Sequence, residues 1–270
     1  MIVLIQCKRD LASTNIASKI LENFKPKVYG KFNNENVYLI SENVLLVTIT
    51  KEHIYYNYLD KDISATLKVY PRIMIFLSRH SSKSKMKTLT VHPIGNFSEN
   101  LYGGLPKTLV WSTPEIMSEA LRILYNYSKK LDFKCSYEVT HHGPYVDVPS
   151  FFIEIGSDEE AWKNEDAGYA IADTIIELIE RLLESKIKET VNFVGLGGGH
   201  YAPRFTRYAI DGLNFGHMIP EYNASFDSLK LAIEKTPRAK KIGIHKKKDT
   251  KFEEIIDKIK ESGIEIIELK

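Results

Sequence analysis

Short apolar runs rich in β-branched residues recur along this chain and alternate with segments whose apolar residues are spaced three and four apart. That alternation restricts it to an α/β fold, with helices layered on both sides of a largely buried sheet. Ile2 to Ile5 reads as a buried strand, and Asp10 or Ser13 can cap the next segment, where Leu11, Ile16, Ile20 and Leu21 recur at helical spacing. Val37 to Ile40, Val44 to Ile49 and Ile73 to Leu77 read as further strands. Ser112, Thr113 and Pro114 start a helix that runs to about Lys130, because proline is tolerated in the first turn. Tyr137 to Thr140 and Phe151 to Ile155 are expected as strands flanking a glycine and proline loop. A long helix spans Asp166 to Ser185, and Val191 to Val194 is a strand running into Gly195, Gly197, Gly198 and Gly199. Ser225 caps a helix to Glu234, Ile242 to His245 is a strand, and a last helix precedes the strand Ile264 to Leu269. Residues 1–270 are expected to form a single domain.

Composition excludes several classes. With 43% hydrophobic and 27% charged residues the chain is neither disordered nor membrane-embedded. The opening MIVLIQC is too short to span a bilayer and lacks a cleavage site. Cys7 and Cys135 both lie in predicted strands, so a disulfide framework is not expected and a reducing cytoplasm fits. No heptad pattern demands an oligomer, and a monomer is expected. The formal net charge of +2 does not announce a nucleic-acid binder. Basic residues do cluster locally, at Lys83, Lys85 and Lys87 and at Arg238, Lys240, Lys241, Lys246, Lys247 and Lys248, although lysine runs are commonly solvated surface.

Chemistry is most concentrated where predicted strands break into glycine-containing loops. His141, His142 and His200 stand at such breaks, and His217 follows Gly216 in a similar setting. Glu154 sits in an otherwise apolar strand, where a carboxylate is either on a solvated edge or is buried with a partner or metal. The run Gly195 to Arg204, GLGGGHYAPR, combines a flexible turn with an imidazole and a guanidinium. Backbone amides there can face an anion, and Arg204 can hold a phosphate or carboxylate. The run ends in neither the Gly-Lys-Ser/Thr of a P-loop nor the dinucleotide fingerprint, so nucleotide-cofactor chemistry is disfavoured. Imidazoles with a carboxylate suit zinc, but the spacing of His141, His142, Glu154, His200 and His217 matches no general metal signature. Metal ligation, general acid–base work and structural roles all remain open. His53, His80, His92 and His245 are expected in surface or packing roles.

VTHHGPYVDVPSFFIEIGSDEEAW and GLGGGHYAPRFT, together with MIVLIQCKRDLAS, LSRHSS and TVHPIGNF, resemble the archaeal and plant family of D-aminoacyl-tRNA deacylases over nearly the whole chain. The resemblance implies a hydrolase that cleaves the ester between a D-amino acid, such as D-tyrosine, and the acceptor end of tRNA, in association with zinc. It also implies a three-layer α/β/α fold with a mixed sheet, similar to the phosphorylase and peptidyl-tRNA hydrolase class. His141, His142, Glu154 and His200 match the family's motifs and are expected to form the polar catalytic floor, holding zinc or a water. The same four residues, with His217, are the candidate zinc ligands. Gly197, Gly198, Gly199, Arg204, Lys83, Lys85 and Lys87 are the candidate substrate contacts. Two rivals stand beside this reading: a hydrolase of another small ester or amide, because fold does not settle substrate, and a non-catalytic tRNA-binding protein.

Overall fold

A computed structural model describes residues 1–245, 250–261 and 263–270. In chain order its strands begin with β1 (Ile2–Cys7), β2 (Lys27–Phe32), β3 (Glu35–Ser41), β4 (Val44–Ile49), β5 (Ile73–Ser81), β6 (Thr88–Pro93) and β7 (Gly95–Asn96). They continue with β8 (Thr108–Leu109), β9 (Lys134–Tyr137), β10 (Ser150–Ser157), β11 (Asn192–Leu196), β12 (Asn214–Ile219), β13 (Ala239–Ile244) and β14 (Glu265–Glu268). The helices are α1 (Leu11–Asn23), α2 (Leu59–Leu67), α3 (Pro114–Ser128), α4 (Glu159–Trp162), α5 (Glu165–Leu183), α6 (Pro203–Ile210), α7 (Phe226–Glu234) and α8 (Thr250–Glu261).

The expected α/β fold with a mixed sheet is present, and its strands divide between two sheets and a short ribbon, a division that periodicity alone does not show. The larger sheet has eight strands in the order β2-β3-β4-β1-β5-β10-β6-β9, and the smaller has the parallel order β12-β11-β13-β14. β1 runs parallel to β4 and β5 near the centre, and Val3, Leu4 and Ile5 are all fully buried, as a strand covered on both faces requires. Each such side chain stabilises the fold by roughly 1.5–3 kcal/mol. β10 pairs parallel with β5 and antiparallel with β6.

Asp10 is the N-cap of α1, its carboxylate accepting from the Ser13 amide at 3.0 Å. The buried face of α1 is Ala12, Ile16, Ala17 and Ile20, and Leu11 points to solvent, so the stripe is rotated from the one predicted. One apolar core lies between the larger sheet and α1, α3 and α5, and extends to Phe193, Phe215 and Met218 of the smaller sheet. A second covers the opposite face of the larger sheet beneath Leu59 and Ile63 of α2. A third joins the smaller sheet to α7 and α8.

The strand expected over Tyr137 to Thr140 is displaced to Lys134–Tyr137 for a reason that matters to function. After Tyr137 the chain leaves β6 and bonds to the smaller sheet: Glu138 bridges Tyr201, the Val139 amide donates to the His200 carbonyl at 3.0 Å, and the Thr140 amide donates to the Met218 carbonyl at 2.9 Å. His141 then returns to pair with Ile94 beyond the end of β6. Residues 138–141 therefore join the two sheets. Lys246, Lys247 and Lys248 of the second basic cluster lie outside the described residues. Among the described residues no helix is long and apolar enough to cross a membrane.

Candidate active site

Strand alternation places the first groups. Ser78 and His80 on β5, Glu154 on β10 and His92 on β6 share one face, because side chains two apart on a strand point the same way and the register pairs Glu154 with Ser78 and Phe152 with His92. This face is the polar continuation of the one that carries Phe76 and Phe152 into the second core. His92 stacks on Phe152 with ring centroids 5.1 Å apart. Gly156 leaves room for His80, since a Cβ there would come within 2.5 Å of Thr88 Oγ1 and 3.0 Å of His80 Cδ2.

The joining segment supplies Glu138, His141 and His142, and the loop after β11 supplies His200. Glu138 is fully buried, yet it meets three imidazoles: His200 Nε2 at 2.9 Å, His80 Nδ1 at 3.2 Å and His141 Nε2 at 3.5 Å. Glu154, 1% exposed, lies 3.6 Å from His92 Nε2 and 3.9 Å from His80 Nδ1. The solvated-edge alternative for Glu154 is therefore excluded. Burial alone would raise the Glu138 carboxyl, but hydrogen bonding from His200 and His80 and the charge around it hold it well below the usual carboxylate range. Burial pushes the other way on His80 and His92, where Glu138 and Glu154 respectively outweigh it and raise both imidazoles. For His141 and His142 the pull of Glu138 is outweighed. Burial and their neighbouring imidazoles hold His141 well below the usual value and bring His142 down to about 3.

Three of the histidines have their tautomer set by the backbone. His92 Nδ1 faces the Pro93 carbonyl at 3.0 Å, His141 Nδ1 the Val139 carbonyl at 2.8 Å and His142 Nδ1 the Gly143 carbonyl at 2.7 Å. A carbonyl only accepts, so each Nδ1 carries a proton, and in the neutral ring Nε2 is the nitrogen that holds the lone pair. One ring nitrogen from each of these three histidines lies within 4.8 Å of the others, and His80, Glu138 and His200 form an adjoining set within the same limit. His92 Nε2, His80 Nε2 and both Glu138 oxygens are buried without an aligned hydrogen-bond partner among the described residues, although imidazoles crowd them. Converging lone pairs, backbone-fixed tautomers and misaligned close approaches are what a divalent cation would satisfy, so the donor set fits zinc. His142 reaches this arrangement through a left-handed backbone, φ 42°, which turns consecutive imidazoles toward one centre with ring centroids 4.3 Å apart.

The cluster stands between two cavities that share Tyr102, His141, His142 and His200. One, of about 420 Å³, has Asp10, Glu52, His53, Ser78 and Arg79 in its walls. The other, of about 260 Å³, is faced by Phe97, Leu101 and Tyr222.

Of the candidates read from sequence, His141, His142, Glu154 and His200 meet here. His217 does not. Its ring is fully buried, its Nε2 donates to the Val110 carbonyl at 2.9 Å and its Nδ1 accepts from the Thr140 hydroxyl at 3.1 Å, leaving no lone pair for a metal. Arg204 lies on α6 and donates to the Leu269 carbonyl at 3.1 Å, lining neither cavity. The glycine turn lines neither cavity either. The Gly197 amide donates to the Ile219 carbonyl at 2.8 Å, so it is spent on the smaller sheet and is no oxyanion donor. Gly197 and Gly198, with φ 107° and 83°, redirect the chain so that His200 reaches Glu138. Lys83, Lys85 and Lys87 lie between β5 and β6, beyond His80, and Lys87 pairs with Glu160 at 3.1 Å. Sequence reasoning missed Glu138 and set His80 and His92 aside; period-two spacing of His80 with Ser78, and of Glu138 two residues before Thr140, was the available signal.

A profile of the D-aminoacyl-tRNA deacylase family matches residues 67–267, which include every member of the cluster. The chain belongs to that family. A D-aminoacyl-tRNA deacylase of Pyrococcus abyssi is 44% identical over 225 residues, 82% of this chain and 81% of the relative. One from Thermococcus kodakarensis is 44% identical over 240 residues, 87% of each chain. The solved structure of a conserved protein of unknown function, AF0625, superposes with a TM-score of 0.88 at 28% identity, covering 99% of this chain and 95% of that one. The walls contributed by Asp10, Glu52 and His53 fall outside the profile match.

Proposed function

We propose that this chain hydrolyses the ester that joins a D-amino acid to the terminal ribose of tRNA, returning the tRNA for correct charging. The observation that carries the reading is the Glu138-centred imidazole cluster between two cavities, in a chain of the deacylase family. An aminoacyl ester is intrinsically reactive, so a positioned water, a proton acceptor and a donor to the tetrahedral oxyanion are sufficient machinery. Half-exposed His200, fixed by ionised Glu138, faces both cavities and takes the proton from the attacking water. Buried His80, biased toward its protonated form by Glu138, places positive charge beside the point where the oxyanion develops. His92, His141 and His142 would hold zinc, with Glu154 behind His92 and the His80, Glu138 and His200 set adjoining. Bound there, zinc would supply Lewis-acid polarisation near neutral pH. The acceptor end approaches past Lys83 and Lys85, and a cytoplasmic site of action follows from the substrate.

Hydrolysis of D-tyrosyl-tRNA beside L-tyrosyl-tRNA, with protein first stripped of metal and then given zinc, tests this. Rapid cleavage of the D-form alone is expected, restored by zinc. Cleavage of free amino-acid esters but not of tRNA would favour the small-ester hydrolase instead, and tRNA binding without cleavage would favour the binding protein.

A further inference from the structure

A third cavity, of about 510 Å³, lies against the outer edge of the larger sheet between β9 and α6. Its walls include Met86, Tyr125, Tyr201, Pro203 and Ile210, with Lys134 and Arg207 among the polar groups. It is the back of the candidate active site. The Tyr201 ring that lines it lies edge-on to His80 and His200, with centroids 5.5 and 5.6 Å away. Thr88, fully buried, and Tyr201 close its inner end, their hydroxyls turned toward each other.

The rim is cationic. An adjoining cavity of about 390 Å³ shares Met86 and Lys134 and adds Lys85 and Lys87. Lys129 Nζ lies 4.7 Å over the Tyr125 ring, and the Arg207 guanidinium 5.3 Å over Tyr208. Asp132 and Asp211 are the acidic members of the two linings. Apolar and aromatic walls under a cationic rim are how unpaired nucleic acid is held, bases on the rings and phosphates on the lysines. A duplex, with its bases stacked inside, would leave the cavity empty.

We propose that this cavity receives a base of the unpaired 3′ strand preceding the terminal adenosine, with Lys134 and Arg207 on its phosphates. The assignment rests on the deacylase reading. The Tyr201 ring, which lines it and touches His80 and His200, places it beside the site, and charge complementarity selects the occupant.

The test compares D-tyrosyl-tRNA with D-tyrosyl-adenosine, which lacks the preceding nucleotides, on the zinc-loaded wild type, on the surface double variant Lys134→Glu with Arg207→Glu, and on Tyr125→Ala. The double variant should raise KM for the tRNA at least tenfold and flatten its salt dependence. Tyr125→Ala should raise it between about fivefold and a hundredfold. Both should cleave D-tyrosyl-adenosine within twofold of wild type. Unchanged KM for the tRNA, with wild type cleaving both substrates, would overturn the assignment, leave the deacylase reading intact and return the patch to a protein partner. Equal losses on both substrates would make the cavity structural and overturn it too. A wild type that cleaves neither would remove the functional reading and this assignment with it.

Discussion

Glu138 follows β9 of the larger sheet and His200 follows β11 of the smaller, and their carboxylate oxygen and Nε2 lie 2.9 Å apart. The contact exists because the segment after β9 crosses to the smaller sheet, where the Val139 amide bonds to the His200 carbonyl. Removing the charge while keeping the shape isolates its role. Glu138→Gln should retain the fold and lower single-turnover deacylation of D-tyrosyl-tRNA by about 10²–10⁴. A rate within threefold of wild type at neutral pH would exclude Glu138 from the chemistry.

His92→Ala and His141→Ala should each lose bound zinc, read as metal content after dialysis, whereas His217→Gln should keep it. Equal zinc content in all three would place the metal elsewhere. The distinction follows from the ring nitrogens: the Nε2 atoms of His92 and His141 face only the carboxylates of Glu154 and Glu138, whereas both nitrogens of His217 are engaged by a carbonyl and a hydroxyl.

His217 is a stability residue with a pH signature. Burial lowers it to about 3, so the native state keeps it neutral while the unfolded chain binds a proton below about 6.5. Its contribution is therefore complete above about pH 6.5 and is lost as pH falls toward 3, by at most about 1.4 kcal/mol per pH unit. His217→Gln should make the decline of unfolding free energy between pH 6 and about 4 shallower. His217→Leu leaves the Val110 carbonyl unpaired and takes the acceptor from the Thr140 O–H, whose oxygen still accepts from the Met218 amide, and should cost about 1–3 kcal/mol at neutral pH. An unchanged acid slope in the Gln variant would contradict the buried neutral state.

Gly156→Ala should lower stability by about 1–3 kcal/mol and reduce turnover together, because the new methyl meets His80 and Thr88. A variant with lowered Tm and wild-type turnover per folded molecule would show that His80 need not stay in place.

The α/β class, β1, β4, the capped starts of α1 and α7 and the long α5 were legible because propensity, capping and periodicity act over a few residues. α2, α4, α6, β2, β6, β7, β8 and β12 were not read. β6 and β12 carry a histidine inside the apolar run, and α6 begins directly behind the glycine turn. The rotation of the α1 stripe, with Leu11 outside and Ala12 inside, was settled by what packs against the helix.

For the site, the sequence determined the donors and where the chain breaks to expose them: the paired His141 and His142, the buried-strand Glu154 and the turn that ends in His200. Motif likeness carried the family because those residues stand in fixed local runs. Only the tertiary structure decided which donors meet. Glu138, His80 and His92 join the cluster because register between β5, β10 and β6 and the crossing of residues 138–141 bring together positions far apart in the chain. His217 and Arg204 drop out because burial and backbone partners take up their polar atoms. Residue type sets what a group can bind, but whether a lone pair is free depends on neighbours that no local stretch of sequence contains.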